Sequence, residues 1–368
     1  MIPWSKADFG RAEKIAARRV INSGWLTQGK ETEKFEEELA NYLGVKHVVL
    51  VSNGTSALMA ALIAHNIGHS DEVIVPSFTF IATINSIIGV GAKPVLADCD
   101  IKTWNLSPEE AQKYISKKTK AIMPVDIAGM PIDMEGFRKL CKDYKLALIE
   151  DCAEAMGAEH VGGKVGSFGH TSIFSFHWAK VVTSIEGGCV AINDKKIATT
   201  IRFTRNLGRT ELYNPKKHGA HYPFDAYGLN FRTNDVFSAI GRVQLSKINR
   251  YLKHRKRLVN YYKKRLKSHF EFQEVPDYVR RHANMFFAIL APGNKRNKIM
   301  KSLFNANISS RITFPPTHLN RWHRKLFQAS RLKNTEELGK RILSIPLGNK
   351  ITISQIETVI SALKKALK

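Results

Sequence analysis

Long apolar runs are missing from this 368-residue chain. None approaches the length that crosses a bilayer, and the opening MIPWSKADFGRAEKIAARRV lacks the uninterrupted apolar stretch of a secretion signal. Neither a membrane partner nor export is expected, and the cytoplasm is the expected location. Cysteine is scarce as well. Cys99, Cys141, Cys152 and Cys189 are scattered, with no CxxC pair and no histidine at zinc-ligand spacing. They read as reduced, mostly buried thiols, and no metal is expected. Acidic residues are few against basic ones, 32 to 57, leaving a net charge of +25. Such a balance suits phosphate-bearing partners. Much of the excess, however, lies in NRYLKHRKRLVNYYKKRLKSH and ALKKALK, interleaved with leucine, valine and tyrosine at helical spacing. That is the pattern of a solvated helix face with aliphatic residues turned inward. With no zinc module, RNP-like aromatic motif or helix-turn-helix signature, nucleic acid is not the expected partner. The same charge would attract a nucleotide-linked, doubly charged substrate.

What the chain does have is alternation. KHVVLVS, DEVIVPS, KPVLADCD, AIMPVDIAG and KLALIEDCA read as buried strands, with TSALMAALIAHN and TINSIIGVG as helices between them. Strands alternating with helices imply an α/β domain whose mostly parallel sheet is covered on both faces. After about Asn230 the pattern shifts to a long basic helical region from about Asp235 to Ser268, then strand NMFFAIL, helix NKIMKSLFNAN, the loop RITFPPTHLN and a final helix SQIETVISALKKAL. We expect a large α/β domain over residues 1–245 and a smaller α+β domain over residues 246–368. A hydrophobic content of 43% is enough for two cores.

In a parallel α/β sheet, ligands bind beyond the carboxyl ends of the strands, and four such places hold suggestive residues. In SNGTSALMAAL, Gly54, Thr55 and Ser56 open a helix: either a phosphate-sized anion site or an ordinary start capped by Thr55 or Ser56. VPSFTFIAT offers Phe78 and Phe80, to stack on a flat heterocycle or to fill the core. LALIEDCAEAMGA ends in Glu150 and Asp151, with Glu154 after them; a strand-end carboxylate either caps the next turn or faces a cation such as a protonated ring nitrogen. Lastly, FSFHWAKVVTSIEGGC holds Lys180 among Phe174, Phe176, His177 and Trp178. It is a surface lysine, or an amine kept rigid and partly desolvated for attack on a carbonyl.

The order of these features resembles that of pyridoxal-phosphate enzymes with the aspartate aminotransferase fold. More closely, the chain resembles the sugar-nucleotide aminotransferases of the DegT/DnrJ/EryC1/StrS family. The matching segments are SGWLTQGKETEKFEEELANYLGVKHVVLVSNGTSALMAAL, VIVPSFTFIATINSI, IEDCAEAMGAEHVGGKVGSFG, FSFHWAK with EGG, GLNFRTNDVFSAIGRVQL and RILSIPLGNKITISQIETVISAL, which span nearly the whole chain.

The resemblance implies a transferase of pyridoxal-phosphate fold type I. It implies that Lys180 forms an imine with pyridoxal phosphate and, once the amino donor has made pyridoxamine phosphate, shuttles a proton to the substrate carbon. It places Asp151 opposite the ring nitrogen, Phe80 on the ring face, and Gly54, Thr55, Ser56 and Ser175 around the phosphate. Glu154 would stand near the ring oxygen, where many relatives carry glutamine or histidine and perosamine-synthase-like members carry glutamate. Asn230 or Arg232 would reach the cofactor phosphate of a neighbouring subunit, making the active unit a homodimer with shared sites. His177, Arg311 and His318 are candidate substrate contacts. The chain departs from the common family pattern at Ala179, usually Thr, Ser or Asn; at Ile185, usually Gly; at Trp178, bulkier than usual; and at Asp126, where histidine is common.

These features point to an enzyme that transfers an amino group, from L-glutamate, to a keto carbon of a nucleotide-linked 4-keto-6-deoxyhexose in amino-sugar biosynthesis. The carbon is C4 before C3, and the product is of the GDP-perosamine type. Two alternatives stand beside this reading: a transaminase acting on a keto-cyclitol without a nucleotide, and a basic regulatory or nucleic-acid-binding protein that keeps the fold without the chemistry.

Overall fold

The computed structural model describes residues 1–168, 170–209, 223–327 and 331–367. The five expected strands form as β1 (His47–Val51), β2 (Glu72–Pro76), β3 (Lys93–Ala97), β4 (Thr119–Ile122) and β5 (Ala147–Asp151). A short hairpin, β6 (Glu159–His160) and β7 (Gly163–Lys164), follows. Two strands not read from sequence, β8 (Thr171–Ser175) and β9 (Gly188–Ile192), complete a seven-stranded sheet of order β1-β9-β8-β5-β4-β2-β3. Only β9 runs against the rest, pairing antiparallel with both β1 and β8.

Period-two burial puts alternate residues of each strand into different cores. Val49 and Val51 face the helices Gly54–Ala64, Ile81–Gly89 and Lys195–Arg205, whereas Val48 and Leu50 pack against Phe35, Leu39 and Leu43 of helix Lys30–Leu43. The mostly parallel sheet is therefore covered on both faces, as expected.

Beyond the sheet, the single basic helical region expected from Asp235 onward is two helices, Asp235–Ser246 and Ile248–Leu266, joined at Lys247. The first packs against the N-terminal helices Arg11–Ser23 and Lys30–Leu43. The second is amphipathic in the expected sense: Leu258, Val259, Tyr262 and Leu266 are buried while Lys253, Lys256, Arg257 and Lys264 are exposed. Strand β10 (Val279–Arg281) pairs with β6, and β11 (Phe287–Leu290) pairs with β12 (Ile342–Ile345). The β11–β12 sheet sends Ala288 and Leu290 toward the first core, and Phe287, Ile289, Leu343 and Ile345 into a second core shared with helices Arg296–Asn305 and Ile353–Leu367. We propose a domain boundary at 245/246. The start of the chain belongs with the C-terminal group, since Ile2 bridges Ile308 and the Leu347 amide donates to the Trp4 carbonyl at 3.0 Å. All four cysteines are free and buried, as expected.

Candidate active site

The carboxyl ends of β1, β2, β5 and β8 open onto a cavity of about 470 Å³, closed from the other side by Trp4, Met285, Phe286 and the segment 311–315. Where β1 ends, Asn53 caps helix Gly54–Ala64 by accepting the Ser56 amide proton at 2.9 Å. Helix geometry leaves the Gly54 and Thr55 amides without an intrahelical acceptor, and both residues line the cavity, a geometry suited to an anion. The cradle is tight for a stated reason: a Cβ on Gly54 would stand 3.0 Å from the Ser175 Cβ, and one on Gly188 would stand 2.5 Å from the Asn53 carbonyl. Gly188 is paired with Val51 on one side and Ser175 on the other, so the antiparallel β9 brings these two strand ends together.

At the end of β5, Asp151 is 3% exposed. One of its carboxylate oxygens accepts from the Thr83 hydroxyl at 2.8 Å and the other from the Ala153 amide at 3.1 Å. Burial pushes its pKa up, against the lowering effect of those hydrogen bonds and of Lys180. A buried carboxylate with two neutral donors suits a cationic group in the cavity.

Lys180 lies in the loop between β8 and β9, its amide donating to the His177 carbonyl at 2.9 Å. Its side chain is 14% exposed, and Nζ stands 3.8 Å from Glu154 Oε1. The other Glu154 oxygen accepts the Ala128 amide proton at 2.8 Å, and burial raises the pKa of this carboxyl. The Phe80 ring, 58% exposed, forms a wall and meets Phe314 at 5.9 Å. His177, its pKa lowered by burial, faces Glu186 at 3.7 Å, and the Arg311 guanidinium lies 4.7 Å from the Trp4 ring centroid.

An amine largely withdrawn from water, a buried carboxylate, an exposed aromatic face and a helix N-terminus thus share one cavity. The family model of the DegT/DnrJ/EryC1/StrS aminotransferase family matches residues 8–364. The chain belongs to this aminotransferase family. Among its relatives is GDP-perosamine synthase of Caulobacter vibrioides, 36% identical over 353 residues, covering 94% of this chain and 93% of that protein. Aminotransferase TlmJ of Streptoalloteichus hindustanus superposes with a TM-score of 0.93 at 27% identity, covering 100% of this chain and 99% of the other. Helicobacter pylori PseC, an aminotransferase involved in pseudoaminic acid biosynthesis, gives 0.92 at 29% identity, covering 99% and 98%. The chain is accordingly an enzyme with the fold of the pyridoxal-phosphate-dependent aminotransferases.

In this aminotransferase the cavity brings together Gly54, Thr55, Phe80, Asp151, Glu154, Ser175, His177, Lys180 and Arg311 of the expected residues. Four others are not among its lining residues. Ser56 is neither free nor the cap: its hydroxyl is paired with Ser52 at 2.9 Å and with the true cap, Asn53, at 3.1 Å. His318 is buried, its Nδ1 paired with the Ser77 hydroxyl at 2.8 Å and its Nε2 facing Glu336 at 3.5 Å. Asn230 is exposed, and Arg232 donates to Asn206 at 3.0 Å; between them the Phe231 carbonyl accepts the Ser52 amide proton at 2.8 Å. They stand beside the helix start but outside the cavity. Phe174 and Phe176 are core residues, and Phe78 is fully buried. Sequence reasoning missed Asn53, Thr83, Trp4 and Phe314. An asparagine before the helix-opening glycine is a capping signal, and Thr79 with Thr83 is a hydroxyl pair at helical spacing; nothing local marks Trp4 or Phe314.

Proposed function

We propose that this enzyme transfers an amino group from L-glutamate to C4 of a nucleotide-linked 4-keto-6-deoxyhexose, with pyridoxal phosphate as the carrier. The observation that carries the reading is Lys180, an amine largely withdrawn from water in the same cavity as Asp151 and the Gly54 helix start. When bound, the cofactor supplies a carbonyl that takes up an amine and a ring that accepts the electron pair released at carbon.

The residues present fit that group. The Gly54 and Thr55 amides, with the Thr55 and Ser175 hydroxyls, would hold its phosphate, and Phe80 would cover the ring. Asp151 would face the ring nitrogen and favour its protonated form, because a buried carboxylate is stabilised by a cation opposite it. Lys180 takes a proton from the donor's Cα and returns one to the sugar carbon. Glu154 keeps that amine close at hand, at 3.8 Å. Arg311, its guanidinium over the Trp4 ring, is placed for an anionic group: the donor's carboxylate or the substrate's diphosphate. Asn230 and Arg232, outside their own cavity, fit service to a second subunit's site in a homodimer. The GDP-perosamine synthase likeness favours GDP over UDP or dTDP.

The test is spectroscopic. Wild type and Lys180→Ala are loaded with pyridoxal phosphate, dialysed, and scanned before and after L-glutamate. A visible band in wild type alone, lost on adding glutamate, supports Lys180 as the holding amine; identical spectra overturn the reading. The glutamate-treated enzyme is then offered GDP-, UDP- and dTDP-linked keto sugars and a keto-cyclitol lacking the nucleotide. Turnover of the last alone removes the nucleotide from the proposal.

A further inference from the structure

The basic charge is confined to one part of the molecule. Residues 246–368 carry 28 lysines and arginines against 6 acidic residues, a net of +22, while residues 1–245 carry 29 against 26. Helix Ile248–Leu266 contains no Asp or Glu, and its exposed Lys253, Lys256, Arg257 and Lys264 lie on one face, continued by Lys267. That row extends about 21 Å at 1.5 Å per residue.

Helix Ile353–Leu367 packs between this helix and Arg296–Asn305. On Arg296–Asn305, Lys298, Lys301 and Phe304 recur every third residue, all exposed, with Phe304 at 67%. The middle helix shows only Ser354, Thr358, Ser361 and Lys365 fully to solvent. Its one carboxylate, Glu357, is occupied by Arg265 and Tyr261. Among the described residues none of these exposed lysines has a carboxylate within ion-pair distance. The layer lies on the face of the β11–β12 sheet that looks away from the first core, so covering it leaves the cavity open.

We infer that this three-helix layer is an electrostatic docking face for an anionic lipid bilayer. Its exposed cations are spread over adjacent helices rather than along a single one, and, apart from Arg250 and Arg265, which are held by Asp8 and Glu357, all but Arg257 are lysines, diffuse point charges rather than the planar forks that read base edges. A planar surface engages all of them at once, each contributing about fivefold to partitioning. One exposed aromatic amid lysines suits the headgroup level and is too little for a base-stacking track. No described helix is long and apolar enough to cross a membrane, so the attachment is peripheral.

The test is flotation of the full chain with vesicles of phosphatidylcholine alone or mixed with phosphatidylglycerol, at low and physiological salt. Wild type floats with the anionic vesicles only, less so as salt rises. The variant K253Q/K256Q/K264Q/K267Q loses several-hundred-fold in partitioning, and K298Q/K301Q, on a separate helix, loses about 25-fold, on the fivefold-per-charge scale. Both keep the wild-type unfolding midpoint and the cofactor band. Binding to neutral vesicles equally well, no flotation, or unchanged flotation of the folded variants overturns the inference. So does salt-sensitive binding to duplex DNA or transfer RNA without binding to vesicles.

Discussion

The Lys180 ammonium stands 3.8 Å from Glu154 Oε1, while the Ala128 amide fixes the second carboxylate oxygen at 2.8 Å. The amine is thus held by a carboxylate that is itself held by backbone. Because burial raises the Glu154 pKa, this carboxyl is still protonated in mild acid and gains its charge as pH rises. Glu154→Ala removes both the charge and the tether, and lowers kcat/KM by roughly 10- to 100-fold, the effect of losing one charged hydrogen-bond partner. Glu154→Gln retains an acceptor for Ala128, stays within roughly tenfold of wild type and flattens the acid limb of the pH profile. An unchanged acid limb in that variant assigns the limb to another group.

Gly188 is the position where β1, β8 and the helix start meet. A Cβ there would stand 2.5 Å from the Asn53 carbonyl and 2.7 Å from the Gly54 amide nitrogen, both backbone atoms that rotamer changes cannot move. Gly188→Ala is expected to cost about 1–3 kcal/mol and, because the displaced atoms belong to the helix start proposed to hold the cofactor phosphate, to weaken pyridoxal phosphate binding at least ~10-fold. Gly24→Ala is the control: it meets no atom within 4 Å, so it bears only the cost of a left-handed backbone, about 1–2 kcal/mol, and leaves cofactor affinity alone. Equal cofactor affinity in the two variants would contradict the cradle.

These two cases separate what the sequence reveals from what it does not. Asp151 and Gly54 are legible because chemistry in a parallel sheet collects at strand ends, and the strands before them, β5 and β1, announce themselves as apolar runs, whereas Lys180 is marked by the aromatics before it and the glycine pair after it. Strands β8 (TSIFS) and β9 (GCVAI) do not announce themselves, being interrupted by polar or small residues, and the reversal of β9 is a property of pairing rather than of local pattern. Trp4 and Phe314 line the cavity although they lie far in sequence from the strand ends. His318 follows the cavity-lining 311–315 segment, which makes it attractive in sequence, but its ring turns to Ser77 and Glu336.

Ile185, where the family pattern has glycine, has φ of 76°, a left-handed conformation unfavourable for a β-branched residue. It is 41% exposed, so little packing offsets the strain. Ile185→Gly relieves about 1–2 kcal/mol of backbone strain and gives back about 0.5–1 kcal/mol in unfolded-chain entropy. A net gain of about 0.5–1 kcal/mol is expected, read as a higher denaturant midpoint at unchanged slope. A lower midpoint would mean that the isoleucine side chain contributes packing that outweighs the strain.

Asp126, where histidine is common in the family, lies fully buried beside Glu150 and Cys152, with acceptor and thiol atoms of the three within 4.8 Å of one another. One Asp126 oxygen accepts the Ile132 amide proton at 2.9 Å, and the Cys152 thiol lies beside the carboxyl. Burial raises the Asp126 pKa, and the charge of Glu150 raises it further. Glu150 is pushed up by burial but brought below its ordinary value by His170, which pairs with it at 3.0 Å. Of the two adjacent buried carboxyls, Asp126 is therefore the one that holds its proton to higher pH. A group whose folded pKa lies above its unfolded one contributes stability that is complete below the ordinary carboxylate range and is lost as pH rises through the raised value. Asp126→Asn mimics the protonated form and lacks that loss. Its urea midpoint should match wild type in acid and exceed it progressively toward alkaline pH, with the infrared carbonyl stretch of a buried neutral carboxyl absent from the variant and present in wild type at neutral pH. Parallel stability curves, with no such band in either protein, would show that both carboxyls are ionised in the native state.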